Sequence, residues 1–351
     1  MRAKDKGAKY MKKVFLITVI LMTIFPILEG QEKETTLFAT YQEMRARIGK
    51  LYQQKRYAEA AEILEKALMQ FPDHLHANTY NLALMHVQLK EYKKALMALE
   101  YGLEQGIWFG KYDFFAEMWT PLKETEGFKA FKQENEAKKQ EAQKAVKPKL
   151  EVLIPEDYDK SKKYPLFLAL HGGGENIEVF KPRWTSDLLQ SKFIVAFPQS
   201  SQIVSMDGYN WTEDIELSQK EIKEAYEKII QNYPVDTSRV IVGGFSSGGV
   251  AALEVVLNDT VPVIGFVVLC PAKPEDFTAQ KVAEAKKRGI KGILLTTEMD
   301  PRLPDQKEMA EIMKAQNFPL EFIVTPDIGH WYPEDLAEMI DVAITHIMRK
   351  E

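Results

Sequence analysis

Val240-Ile241-Val242-Gly243-Gly244-Phe245-Ser246-Ser247-Gly248-Gly249 is a short apolar run that breaks into glycines around a serine pair. It continues as Val250-Ala251-Ala252-Leu253-Glu254-Val255-Val256, which reads as a helix. A strand that turns sharply into a helix holds the corner residue in a strained backbone conformation and lifts its side chain above the sheet edge. Gly244 and Gly248, two residues either side of Ser246, bring no Cβ into that corner. The pattern is G-x-S-x-G with the strand–turn–helix flanks the motif requires, and it marks Ser246 as a candidate nucleophile.

A serine needs a base, an orienting acid and donors for an oxyanion. His330, in Asp327-Ile328-Gly329-His330-Trp331, follows the strand-like Leu320-Glu321-Phe322-Ile323-Val324 and is the candidate base. Asp300 follows Gly292-Ile293-Leu294-Leu295-Thr296-Thr297 and precedes Pro301, and is the candidate acid. Glu298, Asp305 and Asp327 are other acids nearby, the first and last close to the strand and to His330. Pro165-Leu166-Phe167-Leu168-Ala169-Leu170 runs into His171-Gly172-Gly173-Gly174, whose glycines let backbone N–H groups approach a substrate oxygen. Gly173, Gly174 and Ser247 are the candidate oxyanion donors. Each element falls just past a predicted strand, where an open α/β sheet places its ligands.

Residues from about Lys149 onward resemble the phospholipase/carboxylesterase group of α/β-hydrolases and its polyhydroxybutyrate-depolymerase-like and feruloyl-esterase-like relatives. The matching segments are Leu170 to Asn176, Phe197-Pro198-Gln199-Ser200, Asp236 to Gly249 and Gly329-His330-Trp331. The resemblance implies a metal-free serine esterase with Ser246, Asp300 and His330 as its triad. It also implies that Trp211, in Tyr209-Asn210-Trp211, lies near the acyl or alcohol pocket; a packed loop aromatic is the competing reading. Two departures stand out: Thr297 where many relatives carry glycine, and no long hairpin ahead of Leu150. Loops such as Ile203 to Asp207 and Arg302-Leu303-Pro304 supply the pocket lining.

The fold class expected is α/β, an α/β-hydrolase sheet covered by helices on both faces, preceded by an all-α repeat. Arg56-Tyr57-Ala58-Glu59-Ala60-Ala61 matches Glu91-Tyr92-Lys93-Lys94-Ala95-Leu96 at an offset of 35 residues, close to tetratricopeptide periodicity. The aromatics from Trp108 to Phe131 supply a degenerate third pair or face the hydrolase. Residues 133–149, rich in Lys, Glu, Gln and Ala, read as a solvated linker helix. The expected division is 1–30 signal peptide, 31–132 repeats, 133–149 linker and 150–351 hydrolase. The repeats serve either as a docking groove for a protein or peptide partner or as a packing cap.

Lys12-Lys13 precede the apolar run Val14 to Phe25, with Pro26 and Gly30 beyond it, a signal-peptide pattern whose start could be Met11. It predicts export to a periplasm or the exterior, with no stable membrane insertion after cleavage; an uncleaved anchor is the rival. The net charge of −5, with no basic stripe, argues against nucleic acid. Cys270 is the only cysteine and reads as a small buried hydrophobe. No cofactor or metal is expected; His74 and His76 read as exposed loop histidines rather than a shared metal site. The function expected is carboxylic-ester hydrolysis through an acyl-enzyme. A prolyl-oligopeptidase-type serine peptidase, or a repeat-based scaffold with a vestigial hydrolase, are the alternatives.

Overall fold

The computed structural model describes residues 38–349. The expected signal peptide, and the first residues of the 31–132 segment, lie outside the described residues. Helices α1 (Tyr41–Gln53), α2 (Tyr57–Gln70), α3 (Leu75–Gln88) and α4 (Tyr92–Glu104) form two consecutive antiparallel pairs. The pairs turn at Lys55 (φ +58°) and Lys90 (φ +61°), which carry the same positive φ at the 35-residue offset. Ala60 and Ala95 are fully buried, where only a methyl group fits between neighbouring helices.

A 20-residue helix, α5 (Glu126–Ala145), closes the stack. Most of the aromatics before and within it face the helical core, Tyr112 and Phe115 being exposed: Phe114 meets Trp119 (5.1 Å, 89°) and Phe128 (5.2 Å, 85°) edge to face. The segment 133–149, expected as a solvated linker helix, continues α5 as far as Ala145 with most side chains exposed and two polar ones engaged. Asn135 of α5 accepts the Phe109 N–H (2.7 Å) and donates to the Phe109 carbonyl (2.9 Å). Near the end of α5, Gln143 donates to the Ser201 carbonyl (2.8 Å) and accepts the Ile203 N–H (3.0 Å). Polar side chains on backbone groups thus add to the packing of Ala142 and Val146 against the helical core.

The strands are β1 (Lys149–Leu153), β2 (Tyr164–Leu170), β3 (Ile194–Gln199), β4 (Gln202–Ile203), β5 (Tyr209–Asn210), β6 (Val235–Phe245), β7 (Gly265–Leu269), β8 (Lys291–Thr297) and β9 (Leu320–Thr325). Seven form one sheet in the order β1-β3-β2-β6-β7-β8-β9, parallel except for β1 against β3. Strands β4 and β5 pair apart from it. Leu166, Leu168 and Leu170 pack on one face with helices α6 (Ile215–Asn232), α7 (Ser247–Asn258), α8 (Ala279–Lys287) and α9 (Leu303–Ala315). Phe167 and Ala169 pack on the other with the short helices of residues 177–192 and α10 (Leu336–Met348). Both faces are covered, which is why these strands are nearly continuous in apolar residues. Among the described residues no helix is long and apolar enough to cross a membrane.

Candidate active site

Strand β6 delivers Ser246 directly into α7, and the corner is strained as its sequence predicts. Ser246 has φ +54° and ψ −114°, held by its N–H on the Leu269 carbonyl (2.8 Å). The glycines on either side are sterically required. A Cβ on Gly248 would overlap the Leu170 and His171 carbonyl oxygens, and one on Gly244 would lie 2.7 Å from Leu170 O. The corner therefore exists only because β2 and α7 approach with no side chain between them.

Three chain segments meet above this corner. His330 Nε2 lies 2.9 Å from Ser246 Oγ, and its Nδ1 lies 3.0 Å from Asp300 Oδ2. The Asp300 carboxyl is fully buried, and burial opposes its charge. The Arg302 backbone N–H (2.8 Å to Oδ1), His330 and the Gln306 amide (3.1 Å to Oδ2) outweigh that, holding its pKa below the ordinary carboxylate value. The other acids stand elsewhere: Glu298 accepts the Asp327 N–H (3.2 Å), and Asp305 is exposed on α9. Thr297 donates to the Gly329 carbonyl (2.6 Å), so the residue that departs from the glycine of many relatives ties β8 to the histidine loop.

Facing Ser246 is the glycine loop after β2. Among the described residues, the N–H groups of Gly173 and Ser247 have no protein acceptor. Ser247 Oγ is buried without a partner and lies 3.3 Å from where a Gly173 Cβ would be, so the two backbones adjoin. Gly174 is corrected as an oxyanion donor. Its N–H is committed to the Tyr209 carbonyl at 2.8 Å, and its φ of +84° serves the turn that makes this bond. Trp211 sits behind this loop. It is fully buried in the main core against the His171 ring (5.0 Å), as the competing reading of a packed loop aromatic has it.

Several residues at the site carried no assignment from sequence. Glu175 accepts the Gly172 N–H (2.8 Å), the Tyr332 hydroxyl (2.8 and 3.0 Å) and Arg183 (2.9 Å), joining the glycine loop to the segment after His330. Burial first, and then the Glu175 charge, raise the Tyr332 pKa above that of an ordinary phenol, so it stays a donor. Gln306 couples Asp300 to Thr296 and to the Pro271 carbonyl (3.0 Å). Arg302 lies closest of all, its Nη1 3.0 Å from Ser246 Oγ and 3.1 Å from His330 Nε2. The expectation that the Arg302-Leu303-Pro304 loop lines the pocket bears on Arg302, but no sequence signal marks its contact with the serine and histidine.

Cys270, Asp300 and His330 offer three potential ligand atoms within 4.8 Å of one another. The donor set does not suit a cation: the Asp300 carboxylate and His330 already bond each other, and burial pushes the Cys270 thiol up to about 12. His74 stacks on Tyr41 (3.5 Å between ring centres), while His76 meets Asp113 (3.2 Å). Each is thus engaged separately.

Comparison with known proteins gives the family. Residues 157–347 match the phospholipase/carboxylesterase family. An uncharacterized protein from Bacillus cereus, known from a crystal structure, is 29% identical and covers 88% of this chain and 99% of its own, with a TM-score of 0.49. The Bacillus cereus carboxylesterase is 16% identical over 60% of this chain and 99% of its own (TM-score 0.45). A feruloyl esterase module from Clostridium thermocellum is 21% identical over 57% of this chain and 84% of its own (TM-score 0.45). A protein named probable dipeptidyl-peptidase 5, from Aspergillus terreus, is 29% identical over 109 residues, which are 28% of this chain and 15% of that protein. With the matched family spanning more than half of its residues, the chain belongs to the phospholipase/carboxylesterase family of α/β-hydrolases.

Proposed function

We propose that the protein is a serine hydrolase of carboxylic esters, with Ser246 as nucleophile, His330 as general base and acid, and Asp300 as the group that orients the imidazole. The observation that carries this is the hydrogen-bonded series from Ser246 Oγ through His330 (2.9 Å) to Asp300 (3.0 Å). Ser246 Oγ attacks the ester carbonyl carbon while its proton passes to His330 Nε2. Asp300, ionised and bonded to Nδ1, steadies the imidazolium. The carbonyl oxygen becomes an oxyanion that the Gly173 and Ser247 N–H groups receive. When the C–O bond to the alcohol breaks, the alcohol takes the proton from Nε2, leaving an acyl-Ser246. Water then repeats the sequence and releases the carboxylic acid.

A fluorophosphonate probe is expected to label Ser246, and Ser246→Ala is expected to lose labelling and about 10³-fold or more in kcat on p-nitrophenyl acetate. Wild-type turnover by the Ala variant would overturn the assignment. The local match to a protein named as a dipeptidyl-peptidase favours a second reading, a serine peptidase using the same groups. Aminoacyl-naphthylamides assayed beside acyl esters separate the two. The helices before the sheet we read as a packing cap on the hydrolase, because α5 docks on the backbone of residues 201–203.

A further inference from the structure

The Arg302 guanidinium touches both proposed reacting groups, Ser246 Oγ at 3.0 Å and His330 Nε2 at 3.1 Å. Among the described residues it has no carboxylate partner; Asp300 accepts only its backbone N–H (2.8 Å). Arg183, by contrast, is already engaged, bonded to Glu175 (2.9 Å) and stacked 4.7 Å over the Trp331 ring. Arginine keeps its charge at any working pH. Left where it is, that charge opposes the imidazolium that must form when Ser246 gives up its proton. Its N–H also competes with the serine hydroxyl for the Nε2 lone pair. A free guanidinium at this point therefore works against the chemistry unless something of opposite charge takes it up.

The backbone of Arg302 is pinned at the start of α9, while its long side chain keeps rotatable bonds that let the head group move. A planar guanidinium is matched to a carboxylate through two parallel hydrogen bonds. The exposed acids nearest in sequence, Glu298, Asp305 and Asp327, make no ion pair with Arg302 among the described residues, and Glu298 accepts the Asp327 N–H (3.2 Å) instead. We propose that Arg302 is a specificity-determining residue that selects esters carrying a carboxylate close to the scissile carbonyl, and that it occupies the serine and histidine until that carboxylate draws it away. The proposal rests on the ester-hydrolase reading above and narrows its substrate class.

The test compares the full chain with Arg302→Leu and Arg302→Lys on neutral p-nitrophenyl acetate and on the carboxylate-bearing mono-p-nitrophenyl esters of succinate and glutarate. The wild type is expected to favour at least one carboxylate ester in kcat/KM by about tenfold or more. Arg302→Leu is expected to gain severalfold on the acetate and to lose that preference, while Arg302→Lys keeps part of it. Free glutarate should inhibit the wild type and spare the Leu variant. Fluorophosphonate labelling of each variant shows that the serine site is assembled, so a misfolded Leu variant is recognised and the Lys variant decides. An unmoved preference ratio in labelled variants, or a wild type that prefers the acetate, overturns the role of Arg302 alone. A wild type that is neither labelled nor active on any ester overturns the hydrolase reading and this one with it.

Discussion

His171 shows how one buried side chain sets a limit on the conditions under which this loop holds. Its Nδ1 faces the Gly172 carbonyl (2.9 Å), and its Nε2 faces the Ser200 N–H (3.3 Å). Those partners allow only the neutral tautomer with the proton on Nδ1, since a second proton would set two donors against each other. Burial accordingly pulls the His171 pKa down to about 4 from an ordinary 6.5. In the unfolded chain the imidazole takes up its proton as pH falls through about 6.5, whereas the folded one resists until about 4. The unfolded state therefore binds more protons across that window, so stability is complete above it and declines as pH falls through it. The loss from this group reaches on the order of 3 kcal/mol at the acid end. Denaturant midpoints of wild type and His171→Gln, measured at pH 7.5 and 4.5, are expected to show a smaller acid loss in the variant. Equal losses in both proteins would remove His171 as the cause.

Helix α9 makes the same point for an element. Its buried Gln306 points an amide at Asp300 Oδ2 (3.1 Å), while its side-chain oxygen accepts from Thr296. Gln306→Leu keeps the volume but frees the carboxylate to rotate, and small misplacements of a catalytic group cost up to about 10²-fold. The expected outcome is a fall in kcat with little change in KM, and partial rescue by Gln306→Asn would not be seen if the role were packing alone. None of this was legible in the sequence, because the amide reaches the acid only after the turn at Pro301 is formed. The strands were legible, since strands buried on both faces write themselves as apolar runs, and so was the corner at Ser246, since its glycines are forced by contact with β2. The four-residue β4–β5 pair was too short to leave a pattern. The commitment of the Gly174 N–H to Tyr209 depends on that pair, so it escaped the reading. For α5 the helix was legible but its docking was not: Asn135 and Gln143 hold it through hydrogen bonds, and hydropathy does not register them.

At the scale of the molecule, the helices and the proposed active site share a wall. Ile203 is buried in the helical core, although it belongs to β4. Lys111, from the loop after α4, donates from its backbone to the Val204 carbonyl (3.0 Å) and pairs with Glu213 (2.8 Å). Glu213 in turn accepts from Asn210 (2.8 Å), whose Oδ1 lies 3.1 Å from where a Gly173 Cβ would be. A continuous series of contacts thus runs from the helical stack to the glycine loop that faces Ser246. Gln143→Ala removes the other tie between the helices and this wall, leaving the Ile203 N–H and the Ser201 carbonyl without that partner. Unmade buried hydrogen bonds of this kind cost about 1–3 kcal/mol. If the helices brace the glycine loop, the variant should lose thermal stability and also kcat/KM on esters, with fluorophosphonate labelling slowed in parallel. Met69→Ala, at an exposed position on α2 remote in sequence from this contact, should change neither quantity. Helices that merely accompany the hydrolase would instead let Gln143→Ala lower the melting temperature while ester turnover at 25 °C stays at the wild-type rate.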